Sequence, residues 1–113
     1  MSELTERLRA YGADMKGAMA RFLDDEALYA ECLNMFLTDP EFVALETALD
    51  EKNYSAAFDA AHTLKGVAGN LGLTPLFNAI CEIVEPLRHQ DYSHLDEEFQ
   101  KIIEARAAVE KLK

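Results

Sequence analysis

The stretch that decides the fold runs from residue 56 to residue 72 and reads AAFDAAHTLKGVAGNLG. At helical spacing, most of its apolar residues form one stripe along the helix, and two more lie beside that stripe. The stripe comprises Ala57, Ala61, Leu64, Ala68 and Leu71, and Ala60 and Val67 lie beside it. This pattern predicts an amphipathic helix that buries one face against other helices.

A second row on the same helix carries the histidine. His62 lies off the apolar stripe, and its neighbours three or four residues apart are Phe58, Lys65, Gly66 and, one turn further, Gly69. Glycine inside a helix costs about 1 kcal/mol relative to alanine, so two glycines on one row require a reason. Either they permit close helix packing, or they keep the imidazole accessible to a large partner. A lone histidine needs no function, but His, Lys and two Gly together favour a site.

The same residues resemble a known signature. His62-Thr-Leu-Lys65-Gly66, followed by Gly69-Asn70-Leu71-Gly72-Leu73, is similar to the motif of histidine-containing phosphotransfer (Hpt) domains. The resemblance covers roughly residues 14–112, and residues 22–40 look like the first bundle helix of that family. It implies that His62 carries a phosphoryl group on its outer nitrogen, Nε2, between aspartates of response-regulator receiver domains.

The resemblance gives the neighbours of His62 roles as well. Lys65 offsets the charge of the phosphoryl group, which is about −1.5 to −2 on phosphorylated side chains. Gly66 and Gly69 admit the active-site face of the receiver. Asn70 is a weaker candidate, because a polar residue in the last turn of a helix needs no role. Partners would be receiver domains and a hybrid sensor histidine kinase.

Nothing in the sequence provides for the use of ATP. There is no phosphate-binding glycine loop, nucleophile elbow or magnesium-type aspartate cluster. Histidine is nevertheless a competent nucleophile. We therefore expect a phosphocarrier without kinase activity or cofactor, whose partner supplies the metal. The alternatives are a scaffold or inhibitor that binds receivers or kinases without transfer, and a bundle with enzymatic activity of its own.

Four long amphipathic segments with short connections predict an all-α protein, an up-down antiparallel four-helix bundle with a short N-terminal helical addition. We expect one domain over residues 1–113, with lid helices in 1–23 and the bundle in 24–112. Ser2 is a suitable cap for the first lid helix and Gly12 a suitable stop.

The first bundle segment holds an ambiguity. Asp24 or Asp25 caps it, and its predicted apolar stripe is Leu28, Cys32, Met35 and Phe36. At Asp39-Pro40 the proline either opens a new helix behind an aspartate cap or kinks a continuous one. The resemblance implies one long, bent helix.

The later boundaries follow from caps and prolines. Asn53 caps the His62 helix, and Gly72 ends it in a left-handed conformation. Thr74-Pro75 is predicted to cap and open the next helix, and Pro86 to kink or end it near Glu85. Its expected core face is Leu76, Ile80, Ile83, Val84 and Leu87. Ser93 and Asp96 resemble a capping box before a final helix marked by Leu95, Phe99, Ile102, Arg106 and Val109.

Composition excludes several classes of function. The net charge of −10 argues against nucleic acid and anionic membranes as partners. The longest charge-free run, residues 66–81, is interrupted by Asn, Gly and Pro, so no membrane span is predicted. Cys32 and Cys81 imply no disulfide framework.

Metal binding is also not expected. His89 and His94, with Glu82 and Glu85, lack the pairing of a metal site. We expect a cytoplasmic monomer, and the initial Met1 favours a free-standing protein over a piece of a hybrid kinase.

Overall fold

Helices make up most of the chain, as the sequence predicts. A computed structural model describes residues 3–113, and in that range seven α-helices and no strand are found. They are α1 Glu3–Tyr11, α2 Met15–Arg21, α3 Glu26–Leu37, α4 Pro40–Asp50, α5 Tyr54–Asn70, α6 Thr74–Arg88 and α7 Leu95–Glu110. The cap predicted at Ser2 lies outside the described residues.

The last four helices form the bundle. Each packs against the next in chain order, and α7 closes against α4. The predicted stripe of α5 is fully buried at Ala57, Ala61, Leu64, Ala68 and Leu71. The predicted core face of α6 is buried as well. The all-α, four-helix prediction is therefore confirmed.

Besides α2, which Asp14 caps, three helix starts follow from side-chain caps. The amide of Leu28 donates to Asp25 Oδ1 at 3.0 Å, that of Glu41 to Asp39 Oδ1 at 2.9 Å, and that of Ala56 to Asn53 Oδ1 at 3.2 Å. Each cap satisfies an amide that the first helical turn leaves unpaired. The caps predicted at Asp39 and Asn53 are confirmed, and Asp25 rather than Asp24 caps α3.

The junction at Pro40 is a break and not a bend. Asp39 is extended, with φ −64° and ψ 130°, and Pro40 occupies the first turn of α4. The residue before a proline is disfavoured in the helical conformation, so α3 ends before it, at Leu37. The single bent helix that the resemblance implied is absent.

The predicted face of α3 was wrong. Leu28 is 44% exposed and Met35 is 67% exposed, and of the predicted stripe only Phe36 is buried. The buried residues of α3 are Tyr29, Leu33, Phe36 and Leu37. Apolar side chains surround much of this helix, so periodicity did not select the face that packs.

Two predicted caps were also wrong. Thr74 lies inside α6, and its hydroxyl is directed at the Gly72 carbonyl at 3.4 Å instead of capping the helix. The Ser93 hydroxyl donates to Asp91 Oδ1 at 2.6 Å, so it is not available as a cap for α7. Helix α6 continues through Pro86 to Arg88.

The N-terminal helices contact the end of the bundle where α5 turns into α6. The Asp14 amide donates to the Gly72 carbonyl at 2.7 Å, and the Tyr11 hydroxyl donates to the Ala105 carbonyl of α7 at 3.3 Å. The division into a lid of residues 1–23 and a bundle of 24–112 stays a prediction. No helix within residues 3–113 is both long enough and apolar enough to cross a membrane.

Candidate functional site

The centre of the site is the exposed side chain of His62, midway along α5. Neither ring nitrogen forms a hydrogen bond or ion pair with any residue in the range 3–113. The ring does contact another ring: the centroids of Phe58 and His62 are 5.7 Å apart, with 28° between the planes. Both nitrogens therefore face no competing protein partner in the described chain.

Helix α6 forms the neighbouring wall of the site. The Arg88 guanidinium carbon lies 5.3 Å from the centroid of the Phe58 ring, and Phe77 lies against Gly69. These two contacts show that α6 runs antiparallel to α5 along the side that carries the histidine row. The surface around His62 is therefore built from both helices.

Lys65 is half-buried on the same row as His62. It forms no ion pair with any other described residue. In a chain of net charge −10, this leaves one uncompensated cation a single turn from the imidazole.

The two glycines of the row differ in their surroundings. A Cβ added at Gly66 would meet nothing within 4 Å, so the space above this residue is open. A Cβ added at Gly69 would lie 3.4 Å from Phe77 Cε2, which places Gly69 at the contact between α5 and α6. The clearance interpretation thus fits Gly66, and the packing interpretation fits Gly69.

Asn70 interacts with Arg21 through its backbone carbonyl. Its carbonyl accepts a hydrogen bond of 2.9 Å from Arg21 Nε, and the Gly69 carbonyl accepts one of 3.0 Å from Arg21 Nη2. The guanidinium of α2 therefore satisfies two carbonyls at the C-terminal end of α5, where a cation is also favoured by the helix dipole. Local sequence patterns do not indicate Arg21, because its partners lie on a helix far along the chain.

The other two histidines have partners. His89 Nδ1 lies 2.9 Å from the Glu85 carbonyl, and His94 Nδ1 lies 3.9 Å from Glu97 Oε2. Across residues 3–113, no group of three or more His, Cys, Asp or Glu side chains is arranged to hold a metal ion. Both Cys32 and Cys81 are half-buried and free.

A known protein family matches the part of the chain that carries this site. The model of the Hpt domain family matches residues 31–113, which include all of α4 to α7 and therefore His62, Lys65 and both glycines. The chain belongs to the Hpt domain family. No curated protein and no solved structure matches it at a significant level.

Membership confirms the resemblance and gives the Hpt domain a general role. Hpt domains take part in phosphotransfer within two-component phosphorelays, and they are phosphocarriers rather than kinases. They interact with receiver and kinase partners of those relays. The match starts inside α3, later than the resemblance suggested, so it does not include α1 and α2.

Proposed function

We propose that this Hpt domain relays a phosphoryl group between the aspartates of receiver domains through a phosphohistidine at His62. The observation that carries the proposal is the exposed imidazole, whose two nitrogens have no hydrogen-bonding partner among residues 3–113. An exposed ring of this kind is available to a partner that brings the phosphoryl donor.

In the proposed step, the lone pair of His62 Nε2 attacks the phosphorus of a receiver aspartyl phosphate. A bond forms between Nε2 and phosphorus, and the bond between phosphorus and the aspartate oxygen breaks. The carboxylate leaves with that electron pair. The imidazole, which carries its proton on Nδ1 before attack, is cationic until that proton passes to solvent. Transfer onward to a second receiver reverses these bonds.

The neighbours of the ring support this step. Lys65 places a positive charge one turn away, and we assign to it the stabilisation of the phosphoryl charge. The open space above Gly66 supports its assignment to partner access. Gly69 lies on the same row, and its role in partner access stays a prediction beside its packing contact with Phe77. Asn70 remains a weaker candidate for a residue of the phosphotransfer site.

The proposal is tested with a panel of purified, phosphorylated receiver domains. Phosphate from at least one receiver should pass to the unmodified protein and not to His62→Gln. His89→Gln and His94→Gln are matched controls, because they remove the other two imidazoles, and both should accept phosphate as the unmodified protein does. Stable binding of a receiver with no phosphate on His62 would instead establish the scaffold alternative.

A further inference from the structure

The ring of Phe58 contacts two functional groups, the imidazole of His62 and the guanidinium of Arg88. On its own helix its ring stacks on the His62 imidazole at 5.7 Å, and from α6 the Arg88 guanidinium lies over it at 5.3 Å. The side chain of Phe58 is half-buried and packs against the hydrophobic core, which restricts the movement of its ring. An anchored ring that contacts both a nucleophile and a cation can restrict the position of each.

The His62 ring needs such support. Reactive imidazoles are commonly oriented by a hydrogen bond to the nitrogen that does not react, and the described part of the chain provides none for His62. Without it, rotation about the side-chain bonds would spread the ring over several orientations. Stacked aromatic pairs prefer centroid separations of about 4.5–7 Å, a range that includes this contact. Within residues 3–113, the stack on Phe58 is the specific side-chain interaction found for the imidazole.

Arg88 gains an orientation from the same ring. Its Nε lies 3.6 Å from Glu85 Oε1, but both side chains are about half exposed, so this pair is weak. The cation–π contact with Phe58 holds the guanidinium on the side of α6 that faces the histidine row. Lys65 lies one turn after His62 on α5, whereas Arg88 of α6 contacts Phe58, which lies one turn before His62. The two cations are therefore placed near opposite ends of the α5 segment from Phe58 to Lys65, which includes His62.

We propose that Phe58 is a positioning residue, which holds the His62 imidazole in one orientation and Arg88 beside it to attract the incoming phosphoryl anion. The inference rests on the proposed function of His62. It adds a division of roles: orientation of the ring governs the transfer step, and the placement of Arg88 governs the encounter with the anionic donor.

The test compares Phe58→Leu, Phe58→Tyr, Arg88→Gln and the double variant Phe58→Leu/Arg88→Gln. The rate of transfer from a phosphorylated receiver is measured over a range of receiver concentrations. Here kcat is the limiting rate constant for transfer, and KM is the receiver concentration that gives half of that rate. Phe58→Leu should lower kcat about threefold to tenfold, the range expected for one aromatic pair. Phe58→Tyr keeps the stack and should stay within about twofold of the unmodified protein.

Arg88→Gln should act on KM instead. We expect KM to rise about twofold to fivefold at low salt, with little change at high salt, because an exposed charge mainly affects encounter. Because loss of the ring also releases Arg88, Phe58→Leu should raise KM by about the same factor as Arg88→Gln, and the double variant should raise KM no further. Fully multiplicative effects on KM would overturn the link between the two residues.

Phe99→Leu is the matched control for packing, because Phe99 is also half-buried against the core, on α7. It should lower the thermal midpoint about as much as Phe58→Leu and leave kcat unchanged. If Phe58→Leu loses stability but keeps the kcat of the unmodified protein, Phe58 is a packing residue and the inference is wrong.

An NMR measurement on the unphosphorylated protein separates this inference from the proposed function. Nuclear Overhauser contacts between the His62 and Phe58 rings, with one His62 rotamer that becomes several in Phe58→Leu, support positioning. Several rotamers in the unmodified protein would contradict it. Absence of phosphate on His62 would overturn the proposed function, and the rotamer result would still decide the positioning claim.

Discussion

The hydroxyl of Tyr29 in α3 donates a hydrogen bond of 2.6 Å to the backbone carbonyl of Leu71, the residue that follows α5. Tyr29 is almost fully buried, and the ring of Phe22 packs edge-on against it at 5.2 Å. Together with the Arg21 hydrogen bonds to α5, this contact ties the N-terminal part of the chain to the end of the helix that carries His62.

Tyr29→Phe removes this hydrogen bond and leaves the Leu71 carbonyl without its side-chain donor. We expect the free energy of unfolding to fall by about 1–3 kcal/mol, the cost of an unmet buried polar group. Urea unfolding measures it. Tyr92→Phe is the control, since Tyr92 is exposed and should lose much less. Equal losses in the two variants would show that the Tyr29 hydrogen bond contributes nothing specific.

The same residue predicts a dependence on alkaline pH. Burial raises the pKa of Tyr29 from 10.0 to about 12, and the charge of Arg21 opposes this only in part. Below pH 10.0 the hydroxyl is protonated in both states and its contribution to stability is complete. Between pH 10.0 and about 12 the unfolded chain ionises first, so this contribution is lost as pH rises through that window. The difference in unfolding free energy between the unmodified protein and Tyr29→Phe should shrink across it. A constant difference would contradict the assignment.

Local sequence signals predicted α5 well, and contacts between distant helices explain what they missed. Asn53, Gly72 and the apolar stripe lie within one segment, and each acts on neighbouring backbone or on one helix face. The buried face of α3 instead depends on Tyr29, whose partner Leu71 is 42 residues away. Periodicity within α3 carries no information about that partner.

In the candidate site, too, the local sequence pattern indicates some residues, whereas others depend on contacts between distant helices. The residues of the α5 row, His62 and Lys65 included, could be grouped from the sequence because their spacing is local. Arg88 was not recognisable, because its place over Phe58 depends on how α6 packs against α5. Gly66 and Gly69 were predicted to act together, and only the packing of Phe77 distinguishes them.

Gly72 is the residue whose replacement should be most damaging to the turn between α5 and α6. Its φ is +70°, and an added Cβ would lie 2.5 Å from the Asp14 carbonyl oxygen. A left-handed conformation costs a residue with a side chain about 1–3 kcal/mol, and the contact with Asp14 adds to that. Gly72→Ala should therefore destabilise the protein strongly in urea unfolding. A stability equal to that of the unmodified protein would mean that the turn adjusts freely.

Gly66 offers the opposite expectation. Because a Cβ would meet nothing there, Gly66→Ala should raise the free energy of unfolding by about 0.5–1 kcal/mol through helix propensity. Gly66→Leu should also fold, yet transfer to His62 should be strongly slowed because its side chain occupies the space beside the ring. Stopped-flow or quenched-flow transfer from a phosphorylated receiver checks this. Unchanged rates in Gly66→Leu would show that clearance is not the role of this glycine.

Lys65 tests the contribution of charge. Lys65→Ala should slow transfer or shorten the half-life of the phosphohistidine modestly, since a charge pair at the protein surface is worth about 0–1 kcal/mol. Lys65→Arg should recover much of the loss if charge alone matters. Both quantities are measured at low and high salt. If Lys65→Ala equals the unmodified protein at low salt, Lys65 is only a solvated helix residue.

The most direct test of the account is the position of the phosphoryl group on the protein after reaction with a phosphorylated receiver. Mass spectrometry at neutral pH locates the modified peptide, and NMR coupling between phosphorus and the ring identifies the nitrogen. We predict one phosphoryl group on Nε2 of His62 and none on His62→Gln, whose helical content and thermal midpoint should be nearly unchanged because the ring is exposed. Acid-labile phosphate that persists on His62→Gln, at His89 or His94, would contradict the account.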